Sequence, residues 1–159
     1  MQELLLWCEE SANFWKTSLE AHPALLALPC GIGGAADVQA LVRHIWGVEL
    51  LWSQRIAGLP VQDKNDWPVA PLDALFALHL EAMQTYRSLL ERPEVQWDER
   101  IDLDRPGLPP QARNPTRRKM LGHALLHGQR HWAQLATLTR QAGYPSVGYQ
   151  DYLFYKVGK

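Results

Sequence analysis

Residues 123–132 read HALLHGQRHW, with histidines at 123, 127 and 131 and Ala124, Leu125, Leu126 and Trp132 among them. The fourfold spacing, with apolar residues running from Met120 through Leu138, follows the 3.6-residue period of an amphipathic helix that stops before Gly143. Asn114-Pro115 supplies a cap residue and then a first-turn proline, so the helix is expected to begin there. A long helix with an imidazole stripe sets the terms on which the rest of the chain is read.

The same period recurs upstream. Leu72, Leu75, Phe76, His79, Met83, Tyr86, Leu89 and Leu90 predict a third helix with Pro71 as its first residue and Pro93 as its stop. A second helix is expected over about residues 36–58, closed by Gly58-Leu59-Pro60, and a first over residues 3–20. AHPALLALPCGIGGAAD, residues 21–37, is Pro- and Gly-rich and reads as an ordered loop. Residues 94–113 break the helical period, with Val95 and Trp97 and then Ile101 and Leu103 among polar residues, which predicts a short irregular or β-hairpin insertion. The aromatic tail PSVGYQDYLFYKVGK is expected to pack back on the helices. The expected fold is all-α, a four-helix bundle with that insertion before the last long helix.

At 159 residues the chain is long enough for one well-buried domain, taken as 1–159. Sixteen basic against seventeen acidic residues give a net charge of -1, so no overall field favours nucleic acid or an anionic membrane. No apolar run approaches the roughly 20 residues that span a bilayer, and the start MQELLLWCEESANFW lacks the features of a signal peptide. Cys8 and Cys30 are too few for a disulfide framework, and a cytoplasmic protein is expected. Neither cysteine has the context of a reactive thiolate, so burial or a loop role is expected for both. The seven tryptophans are expected mainly in the core.

Helical geometry narrows what the histidines can do. Residues i and i+4 lie about 6 Å apart on one face, so His123 with His127, or His127 with His131, can address one cation. Over eight residues a helix rises about 12 Å and turns about 80° out of register, so His123 and His131 do not readily share an ion. A catalytic metal needs a third protein ligand, and His44, His79 and His22 are the imidazole candidates. His44 lies towards the core side of helix two, whereas His79 reads as a hydrogen-bonded core residue and His22 lies in a loop. The missing Glu of H-E-x-x-H argues against a zincin-type protease. Gly31, Gly33 and Ala36 fit G-x-G-x-x-A on paper, but no strand precedes them and a dinucleotide site is not expected. Arg117, Arg118 and Lys119 read as a solvated helix face.

Three stretches in order resemble the DinB/YfiT-like superfamily of bacterial four-helix metalloproteins: RHIWGVELLWSQRI around His44, HALLHGQRHWAQLATLTRQAGY, and the closing QDYLFY. The resemblance implies a divalent-metal site of His44, His127 and His131, which breaks the tie that spacing leaves open. It implies zinc or nickel, with open positions for water, and relatives that include thiol-dependent transferases. Gln134 matches the family pattern, while Leu126 and Trp132-Ala133 stand where an Asn and an Arg-Gly are usual. Glu49, about 140° round the helix from His44, is expected to be a structural or supporting acid. His123 is expected either beside the pocket or at the surface. The leading expectation is a metal-dependent transferase or hydrolase acting on a small molecule, with a low-molecular-weight thiol as a further cofactor, and forming a homodimer. The competing expectation is a non-enzymatic stress-response or interaction bundle.

Overall fold

The computed structural model describes residues 1–103, 109–145 and 151–155. Four long helices dominate it: α1 (Gln2–Ala21), α2 (Val38–Ala57), α3 (Leu72–Glu91) and, after the short α4 (Pro110–Arg113), α5 (Arg117–Gln141). Among the described residues there is no strand, so the fold is the expected all-α four-helix bundle. α3 and α5 each pack against both α1 and α2. No helix among the described residues is long and apolar enough to cross a membrane.

Helix ends follow local chemistry. The Asp37 carboxylate accepts from the Ala40 N–H at 2.8 Å and caps α2 at its N-terminus. Gly58, at φ +70°, ends α2 in the left-handed conformation that favours glycine. Pro71 occupies the cap position of α3, one place before the first helical residue.

The start of α5 differs from expectation. Asn114-Pro115 does not open the helix; Thr116 is the cap, its hydroxyl accepting from the Lys119 N–H at 3.2 Å. The carbonyls of Arg113 and Pro115 are instead engaged by the insertion, and Thr116 is extended. Ile101 N–H donates to the Pro115 carbonyl at 3.0 Å, and Leu103 N–H donates to the Arg113 carbonyl at 2.8 Å. The insertion is therefore the irregular alternative, tied down by an isolated bridge between Arg100 and Thr116; residues 104–108 lie outside the described residues. The basic run at 117–119 is partly committed to it, since Arg117 pairs with Glu99 and Arg118 with Asp98. Arg117 also donates to the Ile56 carbonyl near the end of α2.

An aromatic layer joins all four long helices. Trp15 of α1 stacks on Trp132 of α5 at 5.4 Å, Trp132 meets Trp46 of α2 edge-on at 5.9 Å, and Trp46 meets Phe76 of α3 at 5.3 Å. All four side chains are buried. Contacts of this kind add about 0.5–1.5 kcal/mol each beyond area burial. The linker between α2 and α3 is bound to the outside of α2: Arg43 donates to the carbonyls of Pro68, Lys64 and Trp67, and the Trp67 ring lies flat against Gly47. In the described part of the tail, Tyr152 packs edge-on against Trp7 at 5.3 Å; residues 146–150 and 156–159 lie outside the described residues.

Candidate metal centre

The aromatic layer brings two histidine-bearing surfaces together. His44 precedes Trp46 by two residues on α2, and His131 directly precedes Trp132 on α5. With those indoles in contact, the His44 ring centroid lies 5.3 Å from both His127 and His131, and His127 lies 4.6 Å from His131. One coordinating nitrogen from each ring lies within 4.8 Å of the other two. Nitrogens about 2.1 Å from a tetrahedral ion are about 3.4 Å apart, so modest side-chain rotation closes the three around one cation.

The protonation of the site also suits a cation. His131 Nδ1 is 2.8 Å from Gln134 Oε1, an atom that only accepts, so Nδ1 carries the hydrogen and Nε2 keeps its lone pair. This fixes the tautomer of a ligand through its other nitrogen. His127 Nδ1 is buried with no hydrogen-bond partner, an orphaned polar atom of the kind that a folded protein rarely leaves without a role. Burial, reinforced by its imidazole neighbours, pushes His127 down to about 3. Burial likewise lowers His44 and His131, opposed at His131 by the Gln134 hydrogen bond and helped at both by neighbouring positive charge. At neutral pH the three rings are uncharged and hold lone pairs, the state in which imidazole binds a metal. By donor set, tautomer and orphaned nitrogen, the residues present fit a divalent ion.

The remaining histidines lie elsewhere. His79 is buried, its Nδ1 2.7 Å from Glu49 Oε2, which makes it the hydrogen-bonded core residue expected from its surroundings. Glu49 is thus a buried structural acid. Its backbone carbonyl accepts from the Tyr86 hydroxyl at 2.9 Å, and its Oε1 would lie 3.0 Å from a Cβ placed on Gly128. The absence of a side chain at Gly128 is what admits the carboxylate between α2 and α5. His123 is exposed, edge-on to Trp52 at 5.4 Å and 5.8 Å from His127. His22 packs against Tyr144. Cys8 donates to the Leu125 carbonyl, and burial pushes its thiol up to about 12, so it is an inert core group.

Two neighbours of the site carried no sequence signal. Gly33 sits in the loop before α2 at φ +60°, where a Cβ would lie 3.4 Å from His131 Cε1, so this turn covers one side of the ring. Arg130 places Nη2 3.5 Å from His131 Nε2. Loop closure leaves no periodic trace, and Arg130, though adjacent to His131 in sequence, is not distinguished by the histidine spacing from an ordinary exposed cation.

The DinB family model matches residues 3–158. The chain belongs to the DinB family. No curated protein matches it. Among the landmarks of this DinB chain, Trp132 is engaged in the core stack between Trp15 and Trp46, so the side of α5 next to His131 is occupied by indole packing. Gln134 holds His131, which gives that shared residue a physical role.

Proposed function

We propose that this DinB protein is a divalent-metal-dependent enzyme with His44, His127 and His131 as its metal ligands. The observation that carries this reading is the convergence of three uncharged imidazoles from two helices, one with its tautomer set by Gln134. Zinc and nickel both suit an all-imidazole donor set. When bound, such an ion supplies Lewis acidity, either lowering the pKa of a water to about 7 or holding a thiolate sulfur ready for transfer.

The protein's own contribution is positional. Gln134 orients His131, the Trp46–Trp132 contact holds α2 against α5, and buried Glu49 and His79 occupy the core beside the site without joining it. Within this reading the chain is a single unit over 1–159, acts in the cytoplasm on a small molecule, uses a low-molecular-weight thiol or water as co-reactant, and pairs as a homodimer. Exposed Leu6 and Phe14 on α1, with Leu153 and Phe154 in the tail, support the last point.

The test is metal analysis of untagged protein beside a His127→Ala variant. About one zinc or nickel per chain is expected in the wild type and a large loss in the variant; equal content in both refutes the site. Thermal melts of His131→Ala in chelator and in added metal separate the roles further. A variant that melts lower than wild type by the same amount in both conditions points to a purely structural bundle.

A further inference from the structure

Arg130 is exposed on α5 directly before His131, with Nη2 3.5 Å from the nitrogen that Gln134 leaves free. Some surface cations have carboxylate partners: Arg87 meets Glu9, Arg117 meets Glu99 and Arg118 meets Asp98. Among the described residues no acidic side chain pairs with Arg130. Glu49, the buried carboxylate nearest the core of the site, is engaged by His79.

A guanidinium beside three imidazoles is an odd neighbour for a divalent cation, because it adds like charge that no acidic side chain among the described residues pairs with. The imbalance disappears when an anion joins the site. Next to Arg130 an open groove of about 610 Å³ lies between α5 and the 30–32 loop, lined by Ile32, Ala133, Gln134, Thr137 and Leu138. Its walls are mostly apolar with a few amide and hydroxyl groups, the composition of a small-molecule cleft with a charged end.

We infer that Arg130 is the specificity-determining residue of this site, receiving the oxyanion of a small substrate or co-substrate whose body lies in the groove. This rests on the three-histidine metal reading and names the substrate class within it. The planar fork of arginine pairs with two oxygens of a carboxylate or a phosphate, and either anion offsets the charge of ion and guanidinium together. Anion and metal then each raise the affinity of the other by the same factor.

Untagged wild type, Arg130→Gln and Arg130→Lys are stripped with chelator, reloaded with cobalt(II), and titrated separately with acetate, inorganic phosphate and uncharged acetamide while the cobalt visible bands are followed. Cobalt stoichiometry is read first: failure of the wild type to take up cobalt overturns the metal site and this inference with it. With cobalt bound, acetate or phosphate is expected to give a saturable spectral change in the wild type, weakened about tenfold or more in Arg130→Gln and partly restored in Arg130→Lys. The tighter of the two anions identifies the oxyanion. Acetamide is expected to give no comparable change. Equal anion affinity in wild type and Arg130→Gln, an equal response to acetamide, or no saturable response in cobalt-loaded wild type overturns the role of Arg130 while leaving the metal site standing.

Discussion

Replacing His79 with phenylalanine is expected to destabilise the protein although no metal-binding nitrogen is touched. Phenylalanine keeps most of the ring volume and the stack on Phe76, whose centroid is 5.3 Å away at 26°, so the change is chiefly the loss of one polar partner. That partner serves Glu49, 2% exposed, across 2.7 Å. Leaving a buried group without its partner costs about 1–3 kcal/mol for a neutral hydrogen bond and about 3–5 kcal/mol for a buried ion pair, which overlap at about 3 kcal/mol. In a chain of this size that lowers Tm by roughly 6–12 °C. Glu49→Gln, which keeps an acceptor oxygen for His79 Nδ1–H, is expected to cost much less. Glu49→Leu combined with His79→Phe removes both polar groups and is expected to be milder than the sum of the two single changes, with a coupling of about 2 kcal/mol. Urea unfolding followed by tryptophan fluorescence in chelator measures all of these. A loss below about 1 kcal/mol for His79→Phe, or strict additivity in the double variant, refutes the account of the pair as a buried, mutually satisfied unit.

Two further outcomes follow from packing and charge. Gly47→Ala would place a Cβ 2.2 Å from Trp67 Cε3, so the indole and the linker that Arg43 holds on α2 must lift away. The expected cost is about 1–3 kcal/mol, with faster proteolytic cleavage between residues 59 and 71, and wild-type stability and protection would contradict it. In chelator, the protein is expected to lose thermal stability as pH falls from 7 to 5. His44, His123, His127 and His131 all bind protons less readily when folded, so stability is full above the ordinary value of 6.5 and declines below it, for His127 down towards about 3. A melting temperature that stays level or rises between pH 7 and pH 5 would show that these rings are not held neutral by the fold.

Much of this arrangement is legible in the sequence because it is periodic. Apolar spacing located the four long helices to within a few residues, and Gly58 marked the end of α2 because a left-handed residue there requires little else. The start of α5 was misplaced for a tertiary reason. Asn114-Pro115 has suitable local chemistry, but the carbonyls of Arg113 and Pro115 accept from Leu103 and Ile101, and a Pro115 carbonyl turned to Ile101 is not free to accept from the next turn of a helix. The site divides along the same line. His127 and His131 are neighbours by helical geometry alone, whereas the approach of His44 depends on how α2 meets α5, and family resemblance rather than spacing singled it out. Arg130 and Gly33 left no such trace: one looks like an ordinary exposed cation, and the other reaches His131 only through a loop turn.

The five-residue step from His44 to Glu49 links core to site. It turns about 140° around α2, so the two side chains leave the helix in different directions. His44 meets His127 and His131 on α5, while Glu49 reaches His79 on α3 and lies against Gly128, the residue that follows His127. A rotation of α2 by about 20° would carry a group about 6 Å from its axis through about 2 Å, comparable with a whole metal–nitrogen bond. The contacts of Trp46 with Trp132 and Phe76 oppose such a rotation by close packing. A 2.7 Å hydrogen bond inside the core adds direction to that resistance, and the Tyr86 hydroxyl on the Glu49 carbonyl adds a second directional tie from α3. The buried polar pair therefore adds a directional restraint to the aromatic packing, and both act on α2 in the setting in which His44 faces the pair on α5.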